Sequence, residues 1–109
     1  PDDIAVRRWL AMILRDRGEY DEALEQIRLA LTSSPTNVEC RIVEADLLLF
    51  QRDAEEAYAV LKPLYPTHAN RRDFLGSLAR AAAMSGRREE SRQYLGEIVQ
   101  LIERETTKE

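Results

Sequence analysis

The run Gly18-Glu19-Tyr20-Asp21-Glu22-Ala23-Leu24 sets a helix-stopping glycine directly before a new helix whose first turn is acidic. Its parts recur downstream. Gly18, Arg52 and Gly86 stand 34 residues apart, as do Glu22, Glu56 and Glu90, then Ala23, Ala57 and Ser91, then Ile27, Leu61 and Leu95. Upstream of the glycine the same interval links Ala11, Ala45 and Ala79, with Leu14, Leu48 and Ala82 behind them. A fixed period of this length marks a stack of like supersecondary units rather than a one-off globule. Such arrays usually present a surface to a partner and do no chemistry.

Outward from that stretch, every segment reads as helix, and none alternates with period two. Helix 1 is expected from about Asp3 to Arg17, with Val6, Leu10, Ile13 and Leu14 on one stripe. Helix 2 follows from about Tyr20 to Thr32, burying Ala23, Leu24, Ile27 and Leu31, and Ser33-Ser34-Pro35 stops it. Thr36 and Glu39 form a capping box for helix 3, which carries Ile42, Ala45, Leu48 and Leu49 to about Gln51. Asp53 and Glu56 repeat that logic for helix 4, expected to reach about Leu64 with a kink or early end at Pro63. Asn70 is the expected cap of helix 5, which closes at Ser85-Gly86, and helix 6 runs from about Arg88 to Arg104. Short connections force successive helices to lie antiparallel and in contact, giving three hairpins.

Composition narrows the function. The 109 residues suit one compact domain, at 44% hydrophobic and 33% charged with a net charge of −4. A mildly acidic chain lacks the basic face that nucleic acid requires. No apolar run approaches the roughly 18–20 residues that span a membrane, since Ala45 to Phe50 is broken by Asp46. No signal peptide opens the chain. It begins with Pro1 instead of Met, which reads as an excised fragment. The Glu103–Glu109 end is expected to fray. Cys40 is the lone cysteine, so it forms no disulfide within the chain and mildly favours a reducing compartment; a cytoplasmic setting is weakly favoured because this sequence shows neither a signal nor a membrane-spanning segment. Fourteen arginines against Lys62 and Lys108 read more readily as codon bias than as arginine-specific recognition.

A 34-residue helix–turn–helix unit with Leu10-Ala11, Gly18, Tyr20, Ala23, Ile27, Ala30 and Pro35 at these spacings resembles a tetratricopeptide repeat. Repeats are placed at about 4–37, 38–71 and 72–105. The second and third are degenerate: Glu44 replaces the large apolar residue, Arg52 the turn glycine and Ser91 the alanine, and the third lacks a closing proline. The resemblance implies a right-handed superhelical solenoid whose first helices line a concave groove for a peptide or partner helix. It also implies the groove residues. These are Ala5, Arg8, Met12, Arg15 and Asp16 in repeat 1, Glu39, Ile42, Asp46, Leu49 and Phe50 in repeat 2, and Asp73, Gly76, Arg80, Ala83 and Met84 in repeat 3. Ile42, Leu49 and Phe50, flanked by Met12 and Met84, would make an apolar strip suited to an adaptable contact, with Arg8, Arg15 and Arg80 to take carboxylates. The alternative is that Ile42, Leu49 and Phe50 pack against neighbouring repeats. One subtype of the family clamps the C-terminal carboxylate of chaperones. Here its positions hold Arg8, Met12, Val43, Asp73 and Ser77, of which only Arg8 has the required character.

In the last helix Tyr94, Leu95, Ile98, Val99, Leu101 and Ile102 spread over an arc of about 160°, wider than the stripe of about 100° that one contact needs. A downstream helix, a homodimer partner or a groove-bound helix would cover it, unless the helix buries both edges on repeat 3. Catalytic signals are thin. His68 is the sole histidine and sits in a loop, Cys40 reads as a small core residue, and Glu55-Glu56 and Glu89-Glu90 are explained by helix starts. Glu44 is expected to pair with Arg41 or Arg80, or to enter the groove. Trp9 reads as packing or, near an exposed end, as a contact anchor. No phosphate loop, metal cluster or Ser–His–acid set is present. The reading is therefore an all-α, non-enzymatic interaction module that binds a protein or peptide in its groove, without cofactor, metal, nucleic acid or membrane insertion. The alternative is a self-associating structural spacer, a homodimer through Tyr94, Ile98, Val99, Leu101 and Ile102.

Overall fold

Asp3 caps the first helix of the computed structural model, which describes residues 3–107; its carboxylate accepts from the Ala5 and Val6 amides at 3.0 and 3.3 Å. Helix α1 (Ile4–Asp16) closes on Gly18, whose φ of +79° lets the Glu19 amide turn back onto the Leu14 carbonyl at 2.8 Å. One period on, Arg52 adopts φ of 63° and Asp53 donates to Leu48 at 2.8 Å; a further period on, Gly86 has φ of 87° and Arg87 donates to Ala82 at 2.7 Å. The sequence repeat is thus a repeat of one backbone closure, forced on an arginine in the middle unit.

After the first closure come α2 (Tyr20–Ser33), α3 (Val38–Phe50), α4 (Ala54–Leu61), a 3₁₀ turn (Lys62–Leu64), the single-turn α5 (Tyr65–His68), α6 (Arg72–Met84) and α7 (Arg88–Thr107). Proline accounts for the break after α4. Pro63 has no amide to continue the ladder and crowds the carbonyl four residues back, so the chain tightens at Lys62. It does not stop there, because Tyr65 donates to Glu97 at 2.8 Å and docks α5 on α7. Two caps differ from expectation. Asn37, not Thr36, caps α3 by accepting from the Cys40 amide at 3.0 Å. Arg71, not Asn70, occupies the cap of α6, and its guanidinium holds Asp73 at 2.7 Å. Helix α7 continues past Arg104 through Thr107, and the rest of the tail expected to fray, Lys108 and Glu109, lies outside the described residues.

The three hairpins, α1/α2, α3/α4 and α6/α7, stack into an all-α solenoid with no strand among the described residues. Helix α3 is central. It packs on α1, α2, α4 and α6, and Cys40, Val43, Glu44, Ala45, Leu47, Leu48 and Leu49 are all buried. Small residues allow the close approach, with Ala11, Ala23, Ala45, Ala57, Ala79 and Ala82 all in the core. Helix α1 buries little of its apolar stripe. Only Ala11 and Leu14 are buried, while Val6, Leu10 and Ile13 face solvent. Of the positions expected to form the outward face of the last helix, Tyr94 is one of the largest fully buried side chains, and Ile98 and Leu101 pack against the core.

Candidate protein-interaction surface

The first helices of the three hairpins bring equivalent positions into rows. One row is Met12, Asp46 and Arg80, and its centre is the best-defined polar point of the surface. Asp46 accepts from the Ser77 hydroxyl at 2.9 Å and faces the Arg80 guanidinium at 3.5 Å. Burial pushes the Asp46 carboxyl above its usual range; Ser77, Arg80 and the nearby Arg15 oppose that push. Asp46 of α3 thus faces Arg80 of α6, which is mostly open to solvent, while Arg15 of α1 pairs with its neighbour Asp16.

Rows on either side differ in character. Toward the helix starts, Arg71 bridges Glu39 at 3.3 Å and Asp73 at 2.7 Å. A backbone hydrogen bond, then Arg71, holds the Glu39 carboxyl below its usual value, and Arg71 does the same to Asp73, so both stay ionised. Toward the helix ends, Phe50 and Met84 are each more than half exposed. The Phe50 ring stacks on Tyr20 at 5.4 Å and 9°, which fixes its orientation without covering its outer face. Arg8, Met12 and Ile42 are half-buried between the ends, and Met12 and Ile42 rest on the core.

One expected groove residue is not on the surface. Leu49 is buried, so the apolar strip is narrower than expected and consists of Met12, Ile42, Phe50 and Met84. One step along a helix turns a side chain by about 100°, enough to carry Leu49 inward while Phe50 stays out. Glu44 is also internal. Its carboxylate accepts from Arg41 at 2.9 Å and from Arg28 of α2 at 3.2 Å, and Arg28 reaches on to Glu56 at 3.1 Å. Arg80, the other partner expected for Glu44, pairs with Asp46 instead.

A tetratricopeptide repeat model matches residues 14–76, more than half of the chain. The chain belongs to the tetratricopeptide repeat family. Its fold is similar to that of a solved point mutant of MamA, with a TM-score of 0.77 at 21% identity over 93% of this chain and 74% of that one. No curated protein matches the sequence. Tetratricopeptide repeats generally mediate protein–protein interaction, and the family's folds are typically non-catalytic scaffolds. Cys40 is fully buried, and burial pushes its thiol above the ordinary range, away from the reactive thiolate. His68 tilts against Phe74 at 5.8 Å. No group of three or more His, Cys, Asp or Glu among the described residues is placed to hold a metal, and no helix there is long and apolar enough to cross a membrane.

Ser77, the Arg71 clamp and the bare face of α1 were not expected. Ser77 and Arg71 act through neighbours 31 and 32 residues away, a distance visible only once the repeat period is converted to stacking. The apolar spacing of Val6, Trp9, Leu10 and Ile13 is plain in the sequence, but periodicity alone does not say whether a partner helix is present to cover it.

Proposed function

We propose that this tetratricopeptide module is non-enzymatic and captures a peptide or amphipathic helix of a partner protein across α1, α3 and α6. The row Met12–Asp46–Arg80 carries the reading, because it sets an exposed cation and a methionine on either side of a half-buried acid. Arg8, Arg15 and Arg80 supply charge for acidic side chains, and Met12, Ile42, Phe50 and Met84 supply adaptable apolar area. The matching ligand has an apolar stripe flanked by carboxylates.

Selection of helical peptides from a displayed random library tests this. Winners should share that acidic–apolar pattern and lose about tenfold or more in affinity on Arg80→Glu or on Met84→Asp, both exposed positions that leave the core untouched. Peptides that bind both variants as well as the parent would overturn it.

A second reading has its own support. On α7, Leu95, Val99 and Ile102 remain about half exposed, which favours self-association through the last helix.

A further inference from the structure

Equivalent positions of the three repeats differ sharply in exposure. On α1, Val6, Trp9, Leu10 and Ile13 are 61%, 67%, 40% and 52% exposed. One period later their counterparts on α3, Cys40, Val43, Glu44 and Leu47, are at most 7% exposed, and the next set on α6, Phe74, Ser77, Leu78 and Ala81, at most 5%. Helix α2 lies against α3, and α4 against α6. What covers this face inside the array is therefore the second helix of the preceding hairpin.

The far end of the molecule offers such a helix. Ile27 of α2 and Leu61 of α4 are fully buried, while Leu95, their counterpart on α7, is 51% exposed. Leu31 is buried and its distant counterpart Val99 is 52% exposed. The polar contact of the first internal junction has no charged counterpart at the ends. Arg28 meets Glu44 inside, whereas the corresponding residues are Gly96 on α7 and Leu10 on α1. Nothing lies within 4 Å of where a Cβ on Gly96 would sit, which leaves room for a leucine, and no charge is desolvated there. Two open hollows of about 370 and 210 Å³ flank Trp9, bounded by Ala5 and Val6 on one side and by Met12, Ile13 and Asp16 on the other.

We infer that the occupant of the α1 face is α7 of a second copy of this chain, docked head to tail so that one solenoid continues into the next. The inference rests on the self-association reading and assigns that surface its partner. Such a contact is heterologous and does not close at two. An end face of one hairpin is small beside the 1,200–2,000 Å² that stable complexes bury, so association is weak and grows with concentration.

Sedimentation equilibrium with complementary variants tests it. Trp9→Glu/Ile13→Glu disables the head and Leu95→Glu/Val99→Glu the tail; all four sites are solvent-exposed, and circular dichroism checks that each variant stays helical. The parent chain should rise above 12.6 kDa with concentration and pass twice that mass without a plateau. Either variant alone should be monomeric, its association weakened by about a hundredfold or more. Mixed in equal amounts, they should form a one-to-one dimer and nothing larger. If the parent associates but the mixture stays monomeric, head-to-tail docking is overturned while self-association stands. A parent that is monomeric throughout overturns both.

Discussion

Arg52 is the one described residue other than glycine with positive φ, at a turn where its counterparts Gly18 and Gly86 have no Cβ to strain. The left-handed conformation costs a residue bearing a Cβ about 1–2 kcal/mol, of which glycine's freer unfolded chain returns a part. Arg52→Gly should therefore stabilise the protein by about 0.5–1 kcal/mol in urea unfolding, and a loss of stability would mean the arginine makes a compensating contact. Glu90 gives a pH-dependent case. Its carboxylate accepts from Tyr58 at 2.6 Å, from Lys62 at 2.9 Å and from Tyr94 at 2.9 Å, holding its pKa at about 2 instead of 4.5. Burial, more than any other cause, keeps Tyr58 and Tyr94 protonated as donors. The unfolded chain binds the proton more tightly, so this stabilisation is complete above about pH 5 and is lost as pH falls through 4.5 toward 2. Glu90 is a third open to water, so screening limits its worth to about 1–2 kcal/mol. Glu90→Gln should lose that much at pH 7 and flatten the decline between pH 5 and 2; an unchanged acid limb would contradict the assignment. The recurrence of Glu22, Glu56 and Glu90 was legible as a repeat position, but the three partners of Glu90 come from two helices and a proline-broken segment, which no local pattern encodes.

At the scale of elements, α3 and α2 meet around a carboxylate where the repeat otherwise places leucine. Arg28 and Arg41 keep part of their exposure while Glu44 does not, so removing the acid takes one partner from each, leaves Arg28 on Glu56 and Arg41 on the Pro35 carbonyl, and opens a small void. Glu44→Ala should cost about 2 kcal/mol in thermal or urea unfolding. Glu44→Leu restores the residue type of Leu10 and Leu78 and should fall within about 1 kcal/mol of the parent, or above it. Equal losses in both would show that the ion triad supplies net stability. The helices themselves were largely readable, because Gly18, Pro35, Asp53, Pro63 and Gly86 each act through local backbone chemistry. Their caps were less so. Thr36 and Asn37, like Asn70 and Arg71, are adjacent, and where the chain enters from the preceding hairpin decides between neighbours that are both able to sit at a helix start.

For the whole molecule, period and hairpin order imply a stack, and the stack is observed. Which faces it leaves bare depends on what the two end hairpins lack. Val6, Leu10 and Ile13 carry the same stripe as their buried counterparts yet stand in water, and Tyr94, read as surface, is sealed by the Lys62–Tyr65 segment that Pro63 forces into a tighter path. Leu49 and Phe50 are consecutive, and one is core while the other is surface; the period fixes the row but not the turn of a single residue. The central claim is that partners are held across α1, α3 and α6. Amide chemical shifts of the isotope-labelled chain, followed while a selected acidic–apolar peptide is titrated in, test it most directly. The account predicts that the largest changes map to Arg8, Met12, Ile42, Asp46, Arg80 and Met84. Changes confined to α2, α4 and α7, or to the bare face of α1, would contradict it.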